Sequence, residues 1–346
     1  MATIRDVARQ AAVSVSTVSL VFSQPHRVAE KTRLRIQKTA EDLGYRPNGT
    51  ARDLRNRKTN TIAVLLHNLS GPFYSELIRG VEEVADTLGF TTIAAGCSRN
   101  KGQGSIRLLH EARVDGAIVL DPSIESLDLL RYADKSLPVV VLDRPLSWDF
   151  KSPYITAVAA DNELGGYLAG QHLIARGYRR FGFIAGPVDS EDSRLRHMGF
   201  YRALHGAAVD TVTLPVVHSD FTEPGGMRAM AALLDKGWGL DAVFAANDEM
   251  AIGALHVLEE RHIKVPDAMA VMGFDDIRLA RYVTPPLSTI HQPMYELGQS
   301  AMRTLEKALA GDTGISVPAL PVTLVVRAST VPSRNSKEGD AVCLLK

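Results

Sequence analysis

Through the first 45 residues apolar positions recur at helical spacing, and from residue 61 they gather into short continuous runs separated by amphipathic stretches. Ile4, Val7, Ala8 and Ala11 predict a first helix, opened by Thr3 as N-cap with Asp6 at the third helical position, a variant of the capping box. Val18, Val21 and Phe22 predict the buried side of a second helix that starts at the N-cap Ser14, with Thr17 facing back toward it. Its opposite side is Val15, Ser16, Ser19 and Leu20, small or methyl-bearing side chains that can approach base edges and thymine methyls. Small residues at Ala8, Ala11 and Ala12 let the two helices cross closely, giving a helix-turn-helix. A third helix is expected from Glu30 to Leu43, with Leu34, Ile36, Ala40 and Leu43 apolar and Gly44 as its stop. On these residues alone an ordinary small helical bundle is an equal reading.

The body reads as strands alternating with helices. Apolar runs at Thr61–Leu66, Thr91–Ala95, Ala117–Leu120 and Val139–Leu142 predict one set of buried strands, with a helix over Pro72–Leu88. Phe181–Ala185, Ala242–Ala246 and Ala270–Phe274 predict a second set, with helices over Glu163–Arg176, Arg194–Ala207 and Met250–Arg261. Continuous apolar strands separated by helices imply two doubly wound parallel layers, whose ligands sit at the carboxyl ends of the strands.

Charge sharpens the division. The chain is neutral overall, yet residues 1–60 carry 12 Lys and Arg against 5 Asp and Glu, leaving the remainder net negative by the same 7 charges. A basic head on an acidic body points to a polyanionic partner, although such an imbalance is also found on plain solvated faces. Only Cys97 and Cys343 are present, far apart, which suggests neither a disulfide framework nor a zinc site. No signal peptide precedes Thr3, and no apolar run approaches the ~18 residues of a membrane helix. A cytoplasmic protein is expected.

Polar residues at strand ends carry the candidate chemistry: Asp143-Arg144, Asn247-Asp248 and Asp275-Asp276. Carboxylates accept from vicinal hydroxyls and arginine donates in a fork, which suits a hydroxyl-rich ligand. Capping of the following helix is the competing role, above all for Asp248 and Asp276. Enzyme motifs are missing: there is no Gly-x-Gly-x-x-Gly, Gly102-Gln103-Gly104 lacking the third glycine, no phosphate loop, no Gly-x-Ser-x-Gly elbow and no His-Glu-x-x-His. Binding is therefore favoured over catalysis, with no cofactor and no metal expected.

Thr3-Ile4-Arg5-Asp6-Val7-Ala8, the Val-Ser-x-x-Thr-Val-Ser of residues 13–19, Leu43-Gly44-Tyr45-Arg46-Pro47-Asn48 and Ala51-Arg52-x-Leu54 closely resemble the lactose-repressor (LacI/GalR) family of bacterial transcription regulators. The likeness continues to about Thr330. It implies an all-α helix-turn-helix head on an α/β body of two doubly wound parallel-sheet subdomains, like type I periplasmic binding proteins. The expected segments are a head over 1–46, a hinge helix or linker over 47–60, and an effector and dimerisation domain over 61–330. Within the last, one subdomain takes about 61–158 and 292–321, the other about 159–291 and 322–330, leaving a polar tail over 331–346.

The family also implies which residues touch DNA: Thr3, Ser14, Val15, Ser16, Thr17, Ser19 and Leu20 in the head, and Tyr45, Asn48, Ala51, Arg52, Leu54 and Arg55 after it. Leu54 matches the leucine that wedges into the minor groove, a few kcal/mol of unstacking offset by wider phosphate contact. Three departures stand out: Leu20 where Arg or a polar residue is frequent, Ser23 for a frequent Asn, and Ala29 for a frequent Ser. Effector contacts carried over from the family are Phe73, Tyr74, Asp143, Arg144, Arg196, Phe221, Asn247 and Asp275, Arg196 from its Arg-x-x-Gly-Phe setting. The implied protein is a repressor that binds a palindromic operator as a homodimer, without leucine heptads for a tetramer, and answers to a sugar-like effector. A purine- or nucleoside-responsive regulator remains open, because Phe73, Tyr74 and Phe221 match positions that surround a base in such members, whereas Ser190 and Asp192 depart from them. A solute-binding protein with an incidental head is the more distant alternative.

Overall fold

A computed structural model describes residues 2–46, 58–67, 69, 71–96, 103–111, 113–121, 124–144, 152–209 and 214–331. Two compact units divide at residues 59 and 60. The first holds helices α1 (Ile4–Gln10), α2 (Val15–Ser23) and α3 (Glu30–Asp42). Val7, Ala8, Ala11, Val18, Val21, Ile36 and Ala40 form its small core, with Phe22 and Tyr45 packed against it. Two expectations need correction. Leu34 is 54% exposed, because two residues of helical rotation set it on the face opposite the buried Ile36 and Ala40. Ala12 is exposed and sits in the left-handed region at φ 50°, so it makes the turn and not the helix crossing. The N-cap position of the third helix is Ala29, which offers no side-chain cap, as its departure from Ser implies.

The second unit is built on two parallel sheets. Strands β1 (Thr61–Leu66), β2 (Thr91–Gly96), β3 (Gly116–Leu120), β4 (Val139–Leu142) and β5 (Ile155–Val158) lie in the order β2-β1-β3-β4-β5. β6 (Phe181–Ala185), β7 (Val216–His218), β8 (Ala242–Ala245) and β9 (Ala270–Met272) lie in the order β7-β6-β8-β9. In each sheet the order reverses beside its first strand, opening a crevice at the carboxyl ends, between β1 and β3 in one lobe and β6 and β8 in the other. Helices α4 (Pro72–Thr87), α5 (Gln103–His110), α6 (Ser126–Tyr132), α7 (Asn162–Ala175), α8 (Glu191–Gly206), α9 (Glu223–Asp235) and α10 (Asp248–Glu260) connect the strands.

The chain crosses between lobes three times. It leaves β5 for α7, returns after β10 (Thr289–His291) through α11 (Met294–Ala310), whose Leu297, Ala301, Met302 and Leu305 pack in the first lobe, and crosses again to β11 (Thr323–Val325). β10 and β11 pair antiparallel, and Asp275 bridges His291 beside them. Several of these elements were absent from the apolar pattern. β7 is a three-residue edge strand with an exposed–intermediate–exposed face, and α9 opens on Pro224-Gly225-Gly226, a turn-like signal. Among the described residues, no helix is long and apolar enough to cross a membrane.

One contact sets the position of Arg196. Helices α7 and α8 cross at reciprocal glycines: a Cβ on Gly166 would lie 1.9 Å from the Arg196 carbonyl oxygen, and one on Gly199 would lie 1.9 Å from that of Glu163. Gly165 likewise leaves room for the Phe274 ring. A Gly166→Ala variant is expected to lose about 2–3 kcal/mol by overpacking this crossing and to displace α8, measured as a lowered urea midpoint at unchanged slope.

Candidate functional site

The head presents its second helix by a firm cap. Ser14 Oγ accepts the Thr17 N–H at 3.1 Å and lies 2.8 Å from the Thr17 hydroxyl. Thr3 donates both its N–H and its hydroxyl to Asp6, which holds that carboxyl below its ordinary range. Val15 and Ser16 stand exposed on α2, while Ser19 and Leu20 are half-buried. The Tyr45 ring packs on Phe22 at 6.0 Å, so it is tied to the head core. Asn48, Ala51, Arg52, Leu54 and Arg55 lie outside the described residues.

In the second unit, the strand-end residues of both lobes converge on one solvent-open cavity of about 1060 Å³. Phe73, Tyr74, Asp143, Arg144, Arg196, Phe221, Asn247 and Asp275 all line it. Phe73 and Tyr74 stand edge to face at 5.3 Å on the first turn of α4. Phe221 occupies the left-handed region at φ 62°, and its ring lies against Gly186, where a Cβ would come within 2.2 Å.

The floor is a closed ring of hydrogen bonds. Asn162 Nδ2 donates to Asp143 Oδ1 at 3.2 Å, and Arg196 Nε donates to Asn162 Oδ1 at 2.8 Å. Arg196 Nη2 donates to Gln292 Oε1 at 2.9 Å, and Gln292 Nε2 donates to Asp143 Oδ2 at 3.1 Å. All four side chains are buried, Arg196 lies 3.8 Å over the Phe274 ring, and the Ala160 N–H also donates to Asp143. The members come from β4's end, from the crossover into α7, from α8, and from the crossover after β10. The ring therefore ties both lobes to two of the crossovers.

Burial, together with the Asp192 charge, pushes the Asp143 carboxyl up to about 6, against the opposing pull of the Ala160 N–H, Arg196 and Gln292. Asp275 is raised well above the usual carboxylate range, chiefly by burial. Its Oδ1 has no hydrogen-bond partner, with the nearest Arg196 nitrogen 3.5 Å away. A bound hydroxyl donor would complete it.

The capping question resolves residue by residue. Asn247 is the cap of α10: its Oδ1 accepts the Met250 N–H at 3.0 Å, and its Nδ2 donates to the Phe221 carbonyl at 3.0 Å. Asp248 does not cap; it accepts from the Ile277 N–H and the Thr289 hydroxyl, pinning the loop before β10. Asp276 is held by Arg327, Arg281 and His291. Arg144 donates to the Ile124 carbonyl at 2.9 Å.

Sequence reasoning passed over His67 and Asp121, which pair at 3.2 Å in the cavity wall, and over Glu249. The Asp121 hydrogen bond raises the His67 ring. The signal was available, because His67 follows β1 and Asp121 follows β3, the strand-end positions used for the other candidates. Asn162 and Gln292 carried no such signal, since each lies in a crossover whose path only the fold defines.

Comparison with known proteins agrees with both units. Residues 3–48 match the bacterial regulatory proteins of the lacI family, and residues 170–330 match the periplasmic binding protein-like domain. The HTH-type transcriptional repressor PurR of Photobacterium profundum is 37% identical over 310 residues, covering 88% of this chain and 91% of the relative. The chain belongs to the LacI family of bacterial regulatory proteins. The ribose operon repressor of Escherichia coli K12 is 38% identical over 314 residues, 88% of this chain and 92% of its own. The crystal structure of the lac repressor dimer bound to operator and the anti-inducer ONPF superposes with a TM-score of 0.80 at 28% identity, covering 96% of this chain and 99% of that one. As a member of the LacI family, the protein is a DNA-binding regulator and not an enzyme.

Because Asp143 holds its proton more tightly folded than unfolded, the stability it adds is complete below its unfolded pKa of 3.8 and is lost as pH rises through about 6. The wild-type advantage over Asp143→Asn should therefore shrink by roughly 2 kcal/mol between pH 4 and pH 7, checked by urea denaturation at both.

Proposed function

We propose that the protein is a transcriptional repressor that binds a palindromic operator as a homodimer and is controlled by a sugar or sugar derivative in the cavity between its lobes. Residues 1–46 form the reading head, 47–60 the hinge, and 61–330 the effector and dimerisation body. It acts in the bacterial cytoplasm, where its operator lies. The observation that carries the effector reading is the lining itself. Asp143, Arg196 and Asp275 line the cavity, Asp275 Oδ1 lacking a hydrogen bond, and Phe73 and Phe221 line it too. A sugar offers hydroxyl donors to the carboxylates and an apolar ring face to the aromatics. A purine would stack equally well but brings fewer donors, and relatives named as PurR keep it as the second reading.

Effector binding favours one relative arrangement of the lobes, since Asp143 and Arg196 belong to different ones, and this shift in population is what the hinge reads. On the DNA side, the exposed Val15 and Ser16 and the half-buried Leu20 make a base-reading surface poor in charge that leans on methyl contacts.

Three outcomes check this. Affinity for a palindromic site, followed by fluorescence anisotropy, should fall steeply with salt, and a flat response would sink the operator reading. Leu20→Arg should change which operator is preferred while effector affinity stays the same. Hydroxyl donation favours ionised Asp143 and Asp275, so effector affinity should rise from pH 5 to pH 7 with release of protons, read by calorimetry in buffers of different ionisation heat.

A further inference from the structure

We infer that the effector is a hydroxyl-bearing ring with no negative charge, and that the cavity rejects the phosphorylated form of the same compound. This rests on the reading of the cavity as the effector site and narrows it.

Helix N-termini and arginine forks are the usual phosphate sites in α/β proteins, because unpaired N–H groups and the helix dipole face the anion. The helices that open on this cavity are already occupied by carboxylates of the chain. α8 carries Glu191 and Asp192 in its first turn, and its Ser193 N–H is taken by the Ser190 cap. At α9, Thr222 accepts the Gly225 N–H, with Asp220 and Glu223 alongside. α10 begins Asp248-Glu249 behind the Asn247 cap. α4 has no acidic residue in its own first turn, but Glu249 reaches across from the other lobe: a Cβ on its N-cap Gly71 would lie 2.8 Å from Glu249 Oε1.

Among the described residues, both guanidiniums of the lining already have partners within the chain. Arg196 already donates to Asn162, Gln292 and the Ala246 carbonyl and lies beside Asp275 and Asp192, and Arg144 donates to Ile124. Among the described residues, eight carboxylates line the cavity against two guanidiniums and His67. Even with Asp143 and Asp275 protonated, the balance stays negative. The Tyr74 phenol registers this field: after burial, the charges of Asp192, Asp275, Asp121 and Glu249 all oppose its ionisation and push its pKa up. A dianion placed among such charges faces repulsion that a neutral ring does not, on the order of a hundredfold in affinity at partly solvated sites.

The test is a thermal-shift and calorimetric panel on the full chain, in matched pairs at millimolar concentration: ribose and ribose 5-phosphate, glucose and glucose 6-phosphate, adenosine and AMP, extended to further free sugars and nucleosides with their phosphates. The compound that stabilises the protein is expected to be the free form, with its phosphate binding at least about a hundredfold more weakly. Inorganic phosphate should not compete with it. Asp189 is another carboxylate of the lining, and in a Glu249→Gln, Asp189→Asn double variant the ratio of free to phosphorylated affinity should fall by roughly tenfold or more. A phosphorylated or otherwise anionic compound that binds as tightly as its free partner overturns the inference and leaves the effector reading standing. A panel in which nothing stabilises the protein overturns the effector reading itself, and this inference with it.

Discussion

The buried guanidinium of Arg196 is the group on which the body is organised. An arginine that is 2% exposed is tolerable only if its donors are satisfied and its charge is opposed. Asn162, Gln292 and the Ala246 carbonyl take the donors, the Phe274 ring takes one face, and Asp275 and Asp192 lie at 3.5 and 3.8 Å. Removing any one partner strands a charge or a polar atom in a dry site, so the ring of Asp143, Asn162, Arg196 and Gln292 stands or falls as a unit.

Placing that guanidinium demands close backbone approach elsewhere. Gly166 and Gly199 bring α7 and α8 into contact, and Gly165 admits Phe274 beneath the arginine. The same crossing delivers Asn162, the first residue of α7, to the Asp143 carboxylate. Packing in the helix pair and chemistry at the cavity floor are therefore one constraint. Because two members of the ring lie in crossovers between the lobes, the cavity floor and the inter-lobe connections share one set of hydrogen bonds. Such a linkage is what an effector-controlled regulator requires, whatever its ligand.

Much of this was legible along the chain. Thr3, Ser14 and Gly44 mark helix ends by their cap chemistry, and the strand runs Thr61–Leu66, Val139–Leu142 and Phe181–Ala185 appear with the bounds expected of them. Strand-end polar residues also gave a sound rule, since Asp143, Asn247 and Asp275 meet in the cavity, and the same rule applied evenly would have included His67 and Asp121. It misled on detail: Asn247 and not Asp248 caps α10, because the choice between neighbouring polar residues depends on which one the turn leaves in extended backbone. Leu34 misled because its spacing of two from Ile36 puts the pair on opposite faces of α3.

The sequence by itself determined the local elements, the basic head against the acidic body, and the family, because caps, periodicity and net charge are properties of neighbours along the chain. The tertiary structure decided which polar groups meet. Asn162 and Gln292 are 130 positions apart and read as an ordinary helix start and a loop residue, yet the return of the chain after β10 makes them partners of the same arginine. It also decided the charge character of the cavity, since Glu249 faces the start of α4 only after the two lobes are folded against each other. Desolvation, which gives these side chains their energetic weight, exists only in the folded chain.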